Sequence, residues 1–223
     1  MVQNPEQRSV LLTGFGPFPG VPKNPSMALV EDLADAFRDT LGITLHKRIL
    51  STEWNTVRYE APALLDAIRP DIVIHFGLCR GANAIRIERS AYNQASRLED
   101  AANILPPSPA ILPGGTPRLD TPLSTAHLAR GLRLAGIPAL PSLSAGRYLC
   151  NYLYYLSLDW AAKQSPVRSH PPLVLFVHIP PARGDGGYLE PAEIARGAAA
   201  ILSDILQAPR LAAHHAVPAS HAA

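Results

Sequence analysis

Cysteine is scarce in this chain of 223 residues, which carries only Cys79 and Cys150. Two cysteines outside any CxxC pair exclude the disulfide framework of a small secreted scaffold, and both read as reduced thiols. Metal-ligand spacing is missing too. The eight histidines are scattered apart from His214 and His215, so neither a structural metal nor a cofactor is expected. Charge of either sign is sparse, at 17% of residues with a formal net charge of +2, which leaves no electrostatic footprint for nucleic acid or an anionic membrane surface. No apolar run approaches the about 20 residues of a membrane span. The first such run, VLLTGF, comes too early to follow the charged start of a secretory leader. A soluble, cytoplasmic protein is expected, and no internal repeat of fixed period is visible.

What is present is core-forming sequence. Hydrophobic residues make up 47% of the chain, enough for one sizeable domain. Short apolar runs recur at 9–15 (SVLLTGF), 43–50 (ITLHKRIL), 71–78 (DIVIHFGL) and 172–180 (PLVLFVHIP), as buried strands of a mostly parallel sheet do. Helical spacing fills the gaps at 26–41, 56–70, 123–138, 146–164 and 191–207. Asn24, Pro25 and Ser26 signal the first helix start, with Ser26 able to cap it. Residues 102–122 are dense in Pro and Gly and read as a long surface excursion. The expectation is a single three-layer α/β domain over 1–208, a twisted, mostly parallel sheet with helices on both faces, followed by a flexible Ala-rich tail over 209–223. Sites in such folds lie beyond the carboxyl ends of the strands.

Three residues at such exits suit nucleophilic catalysis. Cys150 falls near the start of the helical pattern GRYLCNYLYY, where exposed N–H groups and the helix dipole favour a thiolate and can donate to an oxyanion. His178 ends the run LVLFV just before Ile179, Pro180 and Pro181, and Glu88 lies in a second strand-like segment after GLCRGANAIRI. A cysteine nucleophile needs a histidine to take its proton and an acceptor to orient that histidine. The residues alone leave the matter open. A free cysteine in an apolar helix is most often core, His178 could be structural, and Glu88 with Arg89 could be a solvated pair.

Taken together, LLTGFGPFPGVPKNPS, IERSAYN, SAGRYLCNYLYY and FVHIP resemble, in order and spacing, the signature segments of the pyroglutamyl peptidase I family of cysteine peptidases. The resemblance extends from Val10 to about Gln207. It implies that Cys150 is the nucleophile, His178 the general base and then acid, and Glu88 the orienting carboxylate. The implied reaction is removal of an N-terminal pyroglutamyl residue from a small peptide through a thioester, without a cofactor. Phe15 and Phe18 match the aromatic pair that holds the lactam, Asn24 matches a polar site position, and Arg97 stands for the family's arginine, one residue nearer Glu88. Gly14, Gly16 and Gly20 suit a sharp strand-to-loop turn and are not a dinucleotide fingerprint.

The sequence also departs from that pattern. GLCRGAN places Leu78, Cys79 and Arg80 where a lactam-binding glutamine and a small, Gly-rich turn are usual. Arg147 replaces a threonine three residues before Cys150, either facing the site or standing in solvent. The run NQASRLEDAANILPP after Glu88 lacks the usual proline and turns Pro-rich, so that loop should differ. An amidase of shifted specificity and a non-catalytic binder on the same fold are the alternatives. Homo-oligomerisation stays open, because the family includes multimers.

Overall fold

The computed structural model describes residues 7–164, 168 and 170–207, so the tail expected over 209–223 lies outside the described residues. The chain runs β1 (Arg8–Phe15), α1 (Pro25–Ala36), β2 (Ile43–Leu50), α2 (Trp54–Ile68), β3 (Ile72–Leu78), β4 (Ile85–Glu88) and β5 (Ser90–Tyr92). It continues with β6 (Arg118–Asp120), α3 (Thr125–Leu134), β7 (Ala139–Ser142), α4 (Leu149–Gln164), β8 (Leu173–Ile179) and α5 (Pro191–Gln207). Six strands form one sheet in the order β2-β1-β3-β8-β4-β7. The first four in that order are mutually parallel, β4 runs antiparallel to β8, and β7 runs parallel to β4. This is the expected three-layer α/β fold with a mostly parallel sheet.

Strand alternation decides which side chains meet which helices. Val10 and Leu12 of β1, Ile72, Ile74 and Phe76 of β3, and Leu175 and Val177 of β8 pack with α1, α3 and α5. Leu11 and Phe15, Val73, Val174 and Phe176 face the other way, against α2 and α4. The apolar runs of β1, β3 and β8 are therefore buried on both faces, whereas the run at 43–50, expected to be a buried strand, is the edge strand β2, in which only Leu50 is buried. Helix α4 is buried around nearly its whole circumference, because the small antiparallel pair β5–β6 and the excursion before β6 cover its outer side. Asn151 accepts from the Tyr92 N–H and donates to the carbonyls of Tyr92 and Gln94, and Tyr155 donates to the Thr116 carbonyl at 2.7 Å.

The structure corrects several local readings. The excursion over 102–122 is only partly superficial, since it buries Ile111 and contributes β6. The first helix stops at Ala36, and its cap is Asn24, whose Oδ1 accepts from the Ser26 N–H at 3.1 Å, with Pro25 in the first turn. Ser26 instead turns its hydroxyl towards β1, accepting from the Phe15 N–H at 3.0 Å. Strand β7 contains Pro141 and is the last strand of the sheet. A ladder tolerates proline at such an edge, and that proline hid the strand in the sequence.

Candidate active site

Phe15 and Gly77, near the ends of β1 and β3, and Glu88 and His178, near those of β4 and β8, project on the α2/α4 side of the sheet, where the first turn of α4 approaches it. Between them lies a cavity of about 430 Å³. One wall comes from the turn after β1. Gly14 passes so close to α1 that a Cβ there would stand 2.6 Å from the Ser26 carbonyl oxygen. The Gly16 carbonyl accepts from Asn24 Nδ2 and Thr52 Oγ1, both at 3.1 Å. These bonds fix Phe15, 3% exposed and part of the core, and half-buried Phe18 against the cavity. Asn24 also lines the cavity, although its amide is already committed to capping α1 and holding the turn.

Cys150 is the second residue of α4 and half-buried in the opposite wall. The N–H groups of that first turn have no helical carbonyl to bond and remain available as donors. His178, 8% exposed, places Nδ1 2.8 Å from Oε1 of Glu88, which is 1% exposed. Its other face interacts with Cys150 by charge and hydrogen bonding. Burial alone pulls the imidazole pKa down, but the Cys150 charge, then the hydrogen bonds to Cys150 and Glu88, then the Glu88 charge outweigh it and raise the value to about 10. These partners favour the protonated imidazole, which lies between Cys150 and Glu88. Glu88 is not the solvated partner of Arg89, which pairs with Asp120 at 3.3 Å. Its backbone carbonyl is tied to α4 by the Tyr154 hydroxyl at 3.0 Å.

The remaining expectations divide. Leu78, the last residue of β3, lines the cavity, as does Cys79 just after it. Arg97 does not: it is exposed and outside the lining, because the segment 97–104 turns back to α2, where the Leu98 carbonyl accepts from Trp54 Nε1 and Asp100 accepts from the Trp54 N–H. Arg147 lies between the two alternatives, lining the cavity while its guanidinium stacks 3.8 Å from the Tyr92 ring centroid. Two residues escaped the sequence reading. Gly77 is obligatory in β3, since a Cβ there would meet Phe176 at 2.9 Å and Cys150 Sγ at 3.1 Å. Arg86 lines the cavity as the register partner of His178. Its signal was available: in IRIE, alternation places Arg86 on the same face as Glu88.

A thiol in the first turn of α4, an imidazole near the carboxyl end of β8 and a carboxylate on the neighbouring antiparallel β4 form in series the arrangement of a cysteine hydrolase. Comparison with known proteins narrows the class. The family model for pyroglutamyl peptidase matches residues 8–183, a span that contains Glu88, Cys150 and His178. The pyrrolidone-carboxylate peptidase of Pyrococcus furiosus is 35% identical over 175 residues, covering 77% of this chain and 80% of that one. Human pyroglutamyl-peptidase 1 is 29% identical, with 90% of each chain covered. The crystal structure of pyrrolidone carboxyl peptidase from Fervidobacterium islandicum superposes with a TM-score of 0.80 at 29% identity, covering 90% of this chain and 99% of that one. The chain belongs to the pyroglutamyl peptidase family.

Proposed function

We propose that this protein is a cysteine peptidase that removes N-terminal pyroglutamate from peptides. The observation that carries the reading is Cys150 in the first turn of α4, beside an imidazole that also bonds Glu88, in a cavity walled by Phe15 and Phe18. The flat lactam stacks on the aromatic wall. The Cys150 thiolate attacks the pyroglutamyl carbonyl carbon, forming the S–C bond as the carbonyl electron pair moves onto oxygen, where the first-turn N–H groups of α4 receive it. Collapse expels the amine, which takes its proton from His178, and leaves a thioester. His178, now neutral, takes a proton from water. The resulting hydroxide adds to the thioester, and pyroglutamate departs as the thiolate returns. Glu88 keeps the imidazole oriented through both proton transfers.

Two free thiols and the absence of any described helix long and apolar enough to cross a membrane support work in a reducing compartment such as the cytoplasm. A fluorogenic pyroglutamyl amide tests the reading. Wild type releases the fluorophore, Cys150→Ser does not, and Cys79→Ser keeps measurable turnover. Turnover that survives Cys150→Ser would overturn it.

A further inference from the structure

Three arginines, Arg80, Arg86 and Arg147, line the cavity, and Glu88, committed to His178, is the one carboxylate among the described lining residues. None of the three forms an ion pair with a described residue. Arg147 bonds only neutral acceptors, Gln94 Oε1 at 3.0 Å, Ser144 Oγ at 2.9 Å and the Gly146 carbonyl at 2.6 Å. Arg80 donates to the Gly20 carbonyl at 2.6 Å and lies over the Phe18 ring. Arg86 is half-buried, and its guanidinium makes no hydrogen bond to any described residue. Several cations outside the cavity are ion-paired, Arg89 and Arg118 with Asp120, Arg48 with Glu60 and Lys163 with Asp159. Others such as Arg58 and Arg130 have no ion pair with a described residue, so the distinction of the three is that they gather in one concave site.

Unneutralised guanidiniums in a concave site focus a positive potential onto whatever enters it, and their fork geometry suits a carboxylate. We infer that the preferred substrates are pyroglutamyl compounds bearing a carboxylate on the leaving side of the scissile bond, held by Arg86 and Arg147 with Arg80 at the mouth. This rests on the pyroglutamyl reading. The neutral lactam has its place on the phenylalanine wall. The amine leaves towards His178, and Arg86 is the register partner of His178 across β4 and β8. A groove of about 380 Å³ adjoins the cavity across Leu78 and Arg80, and carries Lys23 and one carboxylate, Asp185.

The test compares kcat/KM for the C-terminal amides of pyroglutamyl-glutamate and pyroglutamyl-glutamine, which differ by a side-chain carboxylate, and for pyroglutamyl-glutamine with a free α-carboxylate. At least one of the two acidic compounds is expected to be turned over roughly tenfold better than the neutral amide at low salt. Which one leads identifies the source of the carboxylate. The advantage shrinks at high salt and in Arg86→Gln and Arg147→Gln, persists in Arg86→Lys, and is unmoved by Arg196→Gln on the exposed face of α5. Equal kcat/KM for all three compounds, or an advantage indifferent to Arg86→Gln and Arg147→Gln, overturns the inference. A second readout does not depend on pyroglutamyl turnover. Cys150 thiolate displaces iodide from iodoacetate or iodoacetamide, an S–C bond forming as C–I breaks, and peptide mapping counts each product. The iodoacetate-to-iodoacetamide rate ratio at Cys150 should exceed that of 2-mercaptoethanol several-fold and fall in Arg86→Gln. A ratio equal to that of the simple thiol overturns the charge argument even if pyroglutamyl amides are cleaved. A raised ratio without turnover would discard the pyroglutamyl reading and leave the anion preference standing.

Discussion

Two histidines on neighbouring strands, His75 of β3 and His178 of β8, both point to the α4 side of the sheet and flank Phe176, with ring centroids 6.0 and 4.8 Å away. Both are buried, yet their pKa values are pushed in opposite directions. His75 sits between hydroxyls. The Ser157 hydroxyl donates to the Leu153 carbonyl at 2.9 Å, so its oxygen accepts from His75 Nε2 at 2.9 Å, which leaves Nδ1 to accept from Thr13 at 2.7 Å. With both nitrogens satisfied in the neutral form and no charge facing it, burial lowers its pKa to about 3. His178 lies nearer its strand exit, where its interactions with Cys150 and then Glu88 outweigh burial and raise its pKa to about 10. Burial alone does not set the direction in which a histidine's pKa moves. The partners determine the charge, and the strand exit is where this sheet brings them together.

The largest break in that comparison is His178→Gln, which removes the proposed proton carrier. Pyroglutamyl amide turnover should fall roughly a thousandfold while urea unfolding stays cooperative. Loss of cooperative unfolding together with activity would assign His178 to packing instead. A smaller effect separates the histidines through stability. The folded-state pKa of His75 lies below its unfolded value, so the unfolded chain binds the proton first as pH falls below 6.5. Stability from keeping His75 neutral is complete above that pH and is lost towards pH 3, amounting to about 2 kcal/mol by about pH 5. His75→Gln should therefore be less stable at neutral pH by about 1–3 kcal/mol for the broken hydrogen bonds, but should lose less on acidification. Parallel losses in urea unfolding of the two proteins at pH 7 and about pH 5 would refute this assignment.

The sequence made legible what depends on runs and periods. The doubly buried strands β1, β3 and β8 stood out as unbroken apolar stretches, and the 3.6-residue spacing located all five helices to within a few residues. Glu88, Cys150 and His178 were identified by strand and helix ends together with the family resemblance, and the fold brings those three into one cavity. What was illegible depends on register or on competition between neighbours. Asn24 rather than Ser26 caps α1, because Ser26 is drawn to the Phe15 backbone. Arg97 follows Trp54 and Asp100 out of the site. The need for glycine at 77 and the place of Arg86 emerge only when β3 and β4 are laid against β8.

The central claim is that partner charge, not depth, sets the two imidazoles apart, and a ¹⁵N NMR titration of the histidine side chains reads it most directly. His75 should stay neutral from about pH 9 down to about pH 5, while His178 stays protonated over the same range and releases its proton only near pH 10. In Glu88→Gln the His178 proton should come off at lower pH, since one of the groups holding it is gone. Two histidines titrating together near pH 6.5, indifferent to Glu88→Gln, would contradict the account.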